Sequence, residues 1–299
     1  MGPSDLEYAV TLEALPKDLQ PFAKELPFHL GLTTHPEGGW DDYSALAPFQ
    51  RLPAYASECP GPGIASELQS RYLRAHHRGG FFGLLLDRLD DGQVPPRPEW
   101  PRLRQALFDQ WLQSLTEATG NEVLATEAIK AALEDWAEAV SNEKALLSRR
   151  RLSMAQYACL VSQKVSWLGT SAFCLLLAHG APARLPAFRR AFDLLLLSSQ
   201  CLDDALDADE DARLHGIGFP EALGHPPRGL LRTAPGVARL GAAVAREGGF
   251  HELSAWLADR ARSLDESHAG KSSLQAEMSA LALVAAVTQL YGGPAVTNP

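Results

Sequence analysis

Helical patterning dominates the sequence from about residue 64 to its end. Almost no stretch there alternates between polar and apolar residues as a half-buried strand does. Ser153 followed by Gln156 matches a capping box, which marks the start of one helix. The pattern predicts an all-α fold, with helices over residues 64–92, 102–119, 122–148, 154–179, 187–211, 236–247, 251–267 and 273–291.

The first 63 residues differ from the rest in composition. They are rich in proline and glycine, for example over residues 35–39 and 59–63, which is typical of loops and turns. We therefore predict two parts: an irregular N-terminal segment, residues 1–63, packed on the main body, and an all-α domain, residues 64–299.

The composition excludes several classes of protein. Of the 299 residues, 46% are hydrophobic and 21% are charged, as in an ordinary globular protein, and the net charge of −9 argues against nucleic-acid binding. The longest apolar runs fall short of the about 20 residues that span a bilayer, and the first residues do not resemble a signal peptide. Four cysteines without a Cys-x-x-Cys pair argue against a zinc site or a disulfide framework. We expect a cytoplasmic protein without a membrane span.

Six acidic residues lie within positions 203–211, and five residues separate them from the end of the apolar run 191–197. On a continuous helix, with about 100° per residue, an arc of roughly 100° holds four carboxylates and one amide: Asp203, Asp204, Asp207, Asp211 and Gln200. Like charges on one face repel, so this arrangement becomes favourable when a divalent cation lies between them. Mg²⁺ prefers such oxygen ligands, often together with substrate phosphates.

A second acidic cluster has the same organisation. Asp87, Asp90 and Asp91 follow the apolar run 81–86 and lie within roughly 100° of one helix face. Two acidic helix ends that face each other across a helical bundle would hold a metal–diphosphate complex between them.

The acidic residues also allow other interpretations. A single cluster is also explained as a solvated helix end, but two matching clusters favour the metal site. An EF-hand loop beginning at Asp207 is excluded, because its sixth and twelfth positions are Ala212 and Gly218 instead of Gly and Glu.

The later cluster resembles the second aspartate-rich motif of the class I isoprenoid synthase family, which includes trans-prenyltransferases and class I terpene cyclases. The prenyltransferase motif is Gln-x-x-Asp-Asp-x-x-Asp, and this chain has Gln200-Cys201-Leu202-Asp203-Asp204-Ala205-Leu206-Asp207. The terpene-cyclase motif fits more loosely, through Asp203, Asp204, Asp207 and Asp211. The resemblance implies a single all-α bundle with a central apolar cavity, where two aspartate motifs bind three Mg²⁺ with the substrate diphosphate.

The first motif departs from the family pattern. Leu86 stands in place of its first aspartate, and Pro95 and Pro96 stand in place of the paired arginines, with Arg97 next along. The segment that helps to hold isopentenyl diphosphate is not visible, which puts ordinary chain elongation in doubt. Lys164 resembles the lysine that contacts diphosphate in prenyltransferases, although a lysine snorkelling from an apolar helix is an equal alternative.

The resemblance implies a role for each candidate residue. The predicted catalytic residues are Asp87, Asp203 and Lys164, and the predicted substrate-binding residues are Lys164, Gln200, Arg97 and Arg88. The predicted metal ligands are Asp87, Asp90, Asp91, Asp203, Asp204, Asp207 and Asp211. The run His76-His77-Arg78 could contact diphosphate or act as a base, but a surface location is favoured.

The expected function is Mg²⁺-dependent ionisation of an allylic prenyl diphosphate, followed by cyclisation, as in a terpene synthase, or by prenyl transfer. The alternative is a non-catalytic isoprenoid-synthase-like partner or regulatory subunit. Leu86 and the two prolines, which replace functional residues of the family, are the changes expected after loss of activity. For partners we expect a prenyl diphosphate substrate and no nucleic acid, with a homodimer as one option for the assembly.

Overall fold

The computed structural model describes residues 2–43, 47–58, 64–179, 181–267 and 274–292, without the side chains of Leu214 and His215. Within these residues helices are the only regular secondary structure, so the predicted all-α class is confirmed. The α-helices are α1 Pro3–Glu13, α2 Gln20–Ala23, α3 Leu26–His29, α4 Leu52–Ala56, α5 Ser66–Asp90, α6 Trp100–Thr119, α7 Glu122–Ser148, α8 Met154–Lys164, α9 Thr170–Ala178, α10 Leu185–Leu206, α11 Ala208–His215, α12 Phe219–Ala222, α13 Pro227–Glu247, α14 His251–Ser267 and α15 Leu274–Gly292. Short 3₁₀ helices cover Trp40–Asp42, Ser166–Gly169 and Pro182–Arg184.

The chain separates into two compact units, of which the first comprises Met1–Ser57, Gly61–Ala131 and Trp167–Gly180. In this unit α5 packs along α6 and against α1, α4 and α9. The largest buried side chains of its core are aromatic: Trp40, Tyr72, Phe81 and Trp111. The predicted division at residue 64 stays a prediction.

Glycines on α5 let two tryptophans approach its backbone. A Cβ atom on Gly79 would lie 2.7 Å from Nε1 of Trp111, and one on Gly83 would lie 2.4 Å from the ring of Trp167. Both indoles are buried, at 0% and 5% exposure. Gly80, between them, would place its Cβ in open space, with no atom within 4 Å. This helix carries the first acidic cluster at its end, so the tryptophans fix the helix that presents those carboxylates.

Replacing two of these glycines by alanine is expected to change stability in opposite directions. Gly83→Ala should lower the free energy of unfolding by about 1–3 kcal/mol, because the buried Trp167 ring must move to admit the methyl group. Gly80→Ala should raise it by about 0.5–1 kcal/mol, since alanine has the higher helix propensity and meets nothing there. Urea unfolding of both variants tests this, and stabilisation by Gly83→Ala would contradict the packing.

The second unit comprises Glu58–Pro60, Ala132–Ser166 and Ala181–Pro299. Its α13 packs against α10, α14 and α15, and α8 packs against α10 and α15. The Ser198 hydroxyl of α10 donates a 3.0 Å hydrogen bond to the Ala234 carbonyl of α13. The capping box predicted at the start of α8 is confirmed: the Gln156 amide donates to Ser153 Oγ, and the Ser153 amide donates to Gln156 Oε1.

Three helices differ by more than two residues from their predicted limits. The helix predicted over 154–179 stops at Lys164, because Val165 leaves the helical conformation with φ −119° and ψ 14°, and helix resumes at Thr170. The helix predicted over 187–211 is divided at Asp207. The helix predicted over 236–247 begins nine residues earlier, at Pro227, and contains a buried Pro235.

Among the described residues, no single helix is long and apolar enough to cross a membrane. The helical segments Met154–Lys164 and Ser166–Ala178 meet that test by length and composition only when they are joined across their bend.

Candidate functional site

The second acidic cluster lies where α10 ends and α11 begins. Asp207 belongs to neither helix, and its φ of −93° and ψ of 7° bend the chain between them. Asp203 and Asp207 are exposed, one turn apart, and the Asp207 amide donates to the Asp203 carbonyl at 2.9 Å. The predicted single arc of four carboxylates therefore ends at Asp207, and Asp211 belongs to a new helix.

The break divides the acids into two groups with opposite helix electrostatics. Asp203 and Asp204 lie in the last turn of α10, where the helix dipole disfavours negative charge, and Asp207 is both the C-cap of α10 and the N-cap of α11. The other acids, Asp209, Glu210 and Asp211, lie in the first turn of α11, where the dipole favours negative charge. The dipole of α11 stabilises the second group, whereas the exposed carboxylate of Asp203 gains from a nearby cation.

Asp204 points away from its exposed neighbours into the core of the second unit. It is 3% exposed, and its Oδ2 accepts a 2.6 Å hydrogen bond from the hydroxyl of Tyr157, which is fully buried on α8. Its Oδ1 accepts a 2.7 Å hydrogen bond from Nε2 of Gln200. Burial raises the pKa of Asp204 to about 8, although both hydrogen bonds act in the opposite direction. Burial and the neighbouring Asp204 also raise the pKa of Tyr157.

The first acidic cluster occupies the last turn of α5, in the first unit. Asp87 is half-buried, while Asp90 and Asp91 are exposed. The helix ends in a Schellman motif: Gly92 has φ +65°, its amide donates to the Leu89 carbonyl, and the following amide donates to the Arg88 carbonyl. The acids therefore lie at a helix C-terminus, as Asp203 and Asp207 do, where a cation is favourable.

The two arginines predicted to bind substrate have contacts within the first unit. Nη1 of Arg88 donates a 2.8 Å hydrogen bond to Oε1 of Gln93, just beyond the helix end. The guanidinium carbon of Arg97 lies 5.6 Å from the ring centroid of Phe22, a cation–π distance. Their role in substrate binding stays a prediction.

Lys164 forms an ion pair within the second unit. Its Nζ lies 2.9 Å from Oε2 of Glu143 on α7, in a geometry that is not that of a hydrogen bond. The side chains are 23% and 12% exposed, so water screens the pair only in part. Lys164 is therefore held by a specific partner, and a diphosphate that binds it would share the ammonium with Glu143.

Lys164→Met is expected to lower the free energy of unfolding by about 1–3 kcal/mol, because it leaves the largely buried Glu143 carboxylate without its cation. The double variant Lys164→Met/Glu143→Leu should recover most of this loss, since no charge then remains unpaired. Denaturant unfolding of the two variants and of Glu143→Leu measures the coupling. Strictly additive losses would show that the pair contributes nothing to stability.

The surface location favoured for His76 and Arg78 is wrong. His76 is 5% exposed, and its Nε2 lies 2.8 Å from the Phe49 carbonyl oxygen. Burial lowers the pKa of His76 to about 3. Arg78 is 9% exposed and donates a 3.1 Å hydrogen bond to Glu7 of α1. Both side chains join α5 to neighbouring segments of the first unit.

The donor atoms suit a hard cation. The exposed groups of both clusters are carboxylate oxygens, which Mg²⁺ prefers. In the part of the chain that the structure describes, no three His, Cys, Asp or Glu side chains are arranged to hold a metal ion by themselves. Mg²⁺ commonly binds through one or two carboxylates and completes its coordination with water and phosphate, so the two exposed carboxylates at the end of α10 fit that pattern. The prediction that both clusters share one cavity concerns both units and stays a prediction.

Two residues of this region, Glu143 and Tyr157, were not identified from the sequence. Glu143 lies on another helix, 21 positions before Lys164, and no local pattern indicates that they pair. Tyr157 had a weak signal, because it lies seven residues before Lys164 and thus on the same face of α8. Its contact with Asp204, 47 positions away, is not encoded by spacing.

The chain resembles a known protein in its fold but not in its sequence. No protein-family model matches the sequence, and no curated protein matches it significantly. The crystal structure of a polyprenyl synthetase from Streptomyces coelicolor A3(2) matches with a TM-score of 0.50 at 18% sequence identity, covering 94% of this chain and 96% of the synthetase. At this identity the likeness establishes the fold: the chain has the all-α fold of that polyprenyl synthetase.

Proposed function

We propose that this protein binds an allylic prenyl diphosphate together with Mg²⁺ and ionises it, after which the prenyl group is transferred or cyclised. The observation that carries the proposal is the end of α10, in a chain with the fold of a polyprenyl synthetase. There Asp203 and Asp207 expose two carboxylates one turn apart, at a helix terminus whose dipole favours cations.

Asp203 and Asp207 are the residues that would hold the metal in the second unit. Two carboxylates leave most of the coordination sites of Mg²⁺ to water and to phosphate oxygens. Gln200 lies next to them, with its Nε2 3.4 Å from Asp203 Oδ2, and restricts the orientation of that carboxylate. In the first unit, Asp87, Asp90 and Asp91 have the same chemistry and are proposed as ligands on the same grounds.

The departing diphosphate develops negative charge, which fixed positive groups stabilise. Bound Mg²⁺ would supply Lewis-acid polarisation of the phosphate oxygens. Lys164 is proposed to add a further positive charge. Its pairing with Glu143 holds the ammonium in place when no anion is bound.

Prenyl transfer is the fate that the fold favours, because the structurally similar protein is a polyprenyl synthetase. However, no segment resembling the isopentenyl diphosphate site of the family is visible in the sequence. Pro95 and Pro96 also stand where the family has its paired arginines. We therefore propose an acceptor other than isopentenyl diphosphate, with cyclisation as the competing fate.

A non-catalytic role is the second candidate, and two observations favour it. Leu86 offers no oxygen where the family has its first aspartate. Lys164 is already neutralised by Glu143. In that case the exposed carboxylates of α10 would bind neither Mg²⁺ with pyrophosphate nor substrate.

One experiment separates the candidates. The protein is incubated with Mg²⁺ and geranyl, farnesyl or geranylgeranyl diphosphate, with and without isopentenyl diphosphate, and both pyrophosphate and organic products are measured. Pyrophosphate release without isopentenyl diphosphate supports the proposed ionisation, and the product distinguishes cyclisation from transfer. No pyrophosphate release from any of the three substrates, together with no binding of Mg²⁺ in the presence of pyrophosphate, would favour the non-catalytic role.

A further inference from the structure

We propose that Asp204 is a positioning residue and not a metal ligand, and that Tyr157 and Gln200 hold it so that it fixes the end of α10. The inference rests on the proposed function, because the site that Asp204 positions is the one formed by Asp203 and Asp207. It removes one residue from the ligand set predicted by the sequence motif and adds Tyr157 to the functional residues.

The two oxygens of Asp204 are already engaged. Oδ2 lies 2.6 Å from the Tyr157 hydroxyl and Oδ1 lies 2.7 Å from Gln200 Nε2, and the residue is 3% exposed. A carboxylate that binds Mg²⁺ must present a lone pair to an ion that also keeps several waters. Asp203, the preceding residue, is exposed to solvent, whereas Asp204 faces a buried phenol.

Gln200 connects Asp204 to the exposed carboxylate of Asp203. Gln200 donates from one Nε2 group to Asp204 Oδ1 at 2.7 Å and lies 3.4 Å from Asp203 Oδ2. Asp204 therefore sets the orientation of the Gln200 amide, which in turn borders Asp203. Hydrogen bonds of this kind, one step removed from the metal, restrict the rotamers of the ligating groups and tune metal affinity.

Tyr157 joins this arrangement to α8. Its side chain is fully buried, and the Cys201 thiol of α10 also contacts its hydroxyl. Because α8 carries Lys164 seven residues later, the Tyr157–Asp204 hydrogen bond fixes the acidic end of α10 relative to the helix that carries this cation. Burying the carboxyl group of Asp204 costs free energy of desolvation, and an apolar contact between α8 and α10 would avoid that cost. This indicates that the Tyr157–Asp204 hydrogen bond serves the site.

Two isosteric substitutions on adjacent residues test the assignment. Mg²⁺ is titrated into the full-length protein by calorimetry in the presence of pyrophosphate. Asp203→Asn removes a proposed ligand and should weaken Mg²⁺ binding on the order of a hundredfold. Asp204→Asn keeps the size of the side chain. Its amide oxygen can accept from Gln200 Nε2 while its NH2 group donates to the Tyr157 hydroxyl oxygen, so the affinity should change by less than about threefold.

Two further variants remove the positioning contact. Asp204→Ala and Tyr157→Phe should each weaken Mg²⁺ binding about tenfold, and the double variant should be no weaker than Asp204→Ala alone, because both act through one hydrogen bond. Tyr8→Phe is the matched control: it removes an equally short 2.6 Å hydrogen bond from a buried tyrosine to the Ala23 carbonyl and should leave Mg²⁺ binding unchanged. Denaturant unfolding establishes that each variant is folded.

The outcomes are distinct. If Asp204→Asn loses as much affinity as Asp203→Asn, Asp204 is a ligand and the inference is overturned while the proposed function stands. If Asp204→Ala and Tyr157→Phe bind like wild type, Asp204 has no positioning role, which also overturns it. If Asp204→Ala and Tyr157→Phe do not fold, the comparison of the two asparagine variants decides the assignment. If wild type itself shows no Mg²⁺ binding with pyrophosphate, the proposed function and the inference both fail.

Discussion

Asp203→Ala is expected to reduce pyrophosphate release from an allylic diphosphate by about a hundredfold or more, as is typical when one electrostatic contact to the departing charge is lost. Asp207→Ala should have a similar effect, because the two exposed carboxylates lie one turn apart at the end of α10. Without metal, either variant should be as stable as wild type or slightly more stable, since repulsion between neighbouring carboxylates is relieved. Steady-state assay of pyrophosphate and denaturant unfolding measure the two effects.

Asp209→Ala provides the matched control. Asp209 is an exposed acid of the same cluster, but it lies in the first turn of α11, where its charge stabilises the helix. The substitution should leave turnover unchanged and lower the free energy of unfolding by about 0.3–1 kcal/mol. Wild-type turnover by Asp203→Ala, or an equal loss in Asp209→Ala, would remove the specific metal role of Asp203.

Mg²⁺ should bind weakly to the free protein and on the order of a hundredfold more tightly when pyrophosphate is present, near the upper end of typical couplings between two ligands. The expectation follows from the donor atoms. In the described part of the chain no three acidic, His or Cys side chains hold an ion by themselves, so phosphate oxygens must complete the coordination. Isothermal titration of Mg²⁺ with and without pyrophosphate measures the difference directly.

Leu86→Asp extends this experiment to the first cluster. Leu86 is half-buried on the last turns of α5, next to Asp87, and the substitution restores the aspartate of the family motif. It should tighten Mg²⁺ binding in the presence of pyrophosphate if α5 contributes ligands, and have no effect if Leu86 serves only as packing. Equal Mg²⁺ affinity with and without pyrophosphate in wild type would instead favour the non-catalytic role.

Local sequence signals predicted helices well where packing agreed with them. The helices predicted over 122–148 and 251–267 have the observed limits, because polar and apolar residues alternate there at helical spacing and no proline intervenes. The predicted start of α13 is nine residues too late and directly follows Pro235. In the structure that proline is buried inside a helix that packs on α10, and tertiary packing outweighs its low helix propensity.

The acidic cluster of α10 illustrates the same limit at the candidate site. An ideal helix placed Asp204 and Asp211 on one arc with Asp203, but the bend at Asp207 moves Asp211 to α11. Asp204 turns inward because Tyr157, from a different helix, offers a hydroxyl at 2.6 Å. Helical geometry alone contains neither the bend nor the partner.

The sequence by itself determined the all-α class and the acidic helix ends at Asp87–Asp91 and Asp203–Asp207, because both depend on residues near each other in the chain. Only the tertiary structure decided which carboxylates are exposed and which are buried, and that Lys164 is paired with Glu143. Those properties depend on contacts between helices far apart in sequence, where burial and hydrogen bonding set the state of each charged group. A motif supplies candidate ligands, and the packing around it assigns each of them its chemical environment.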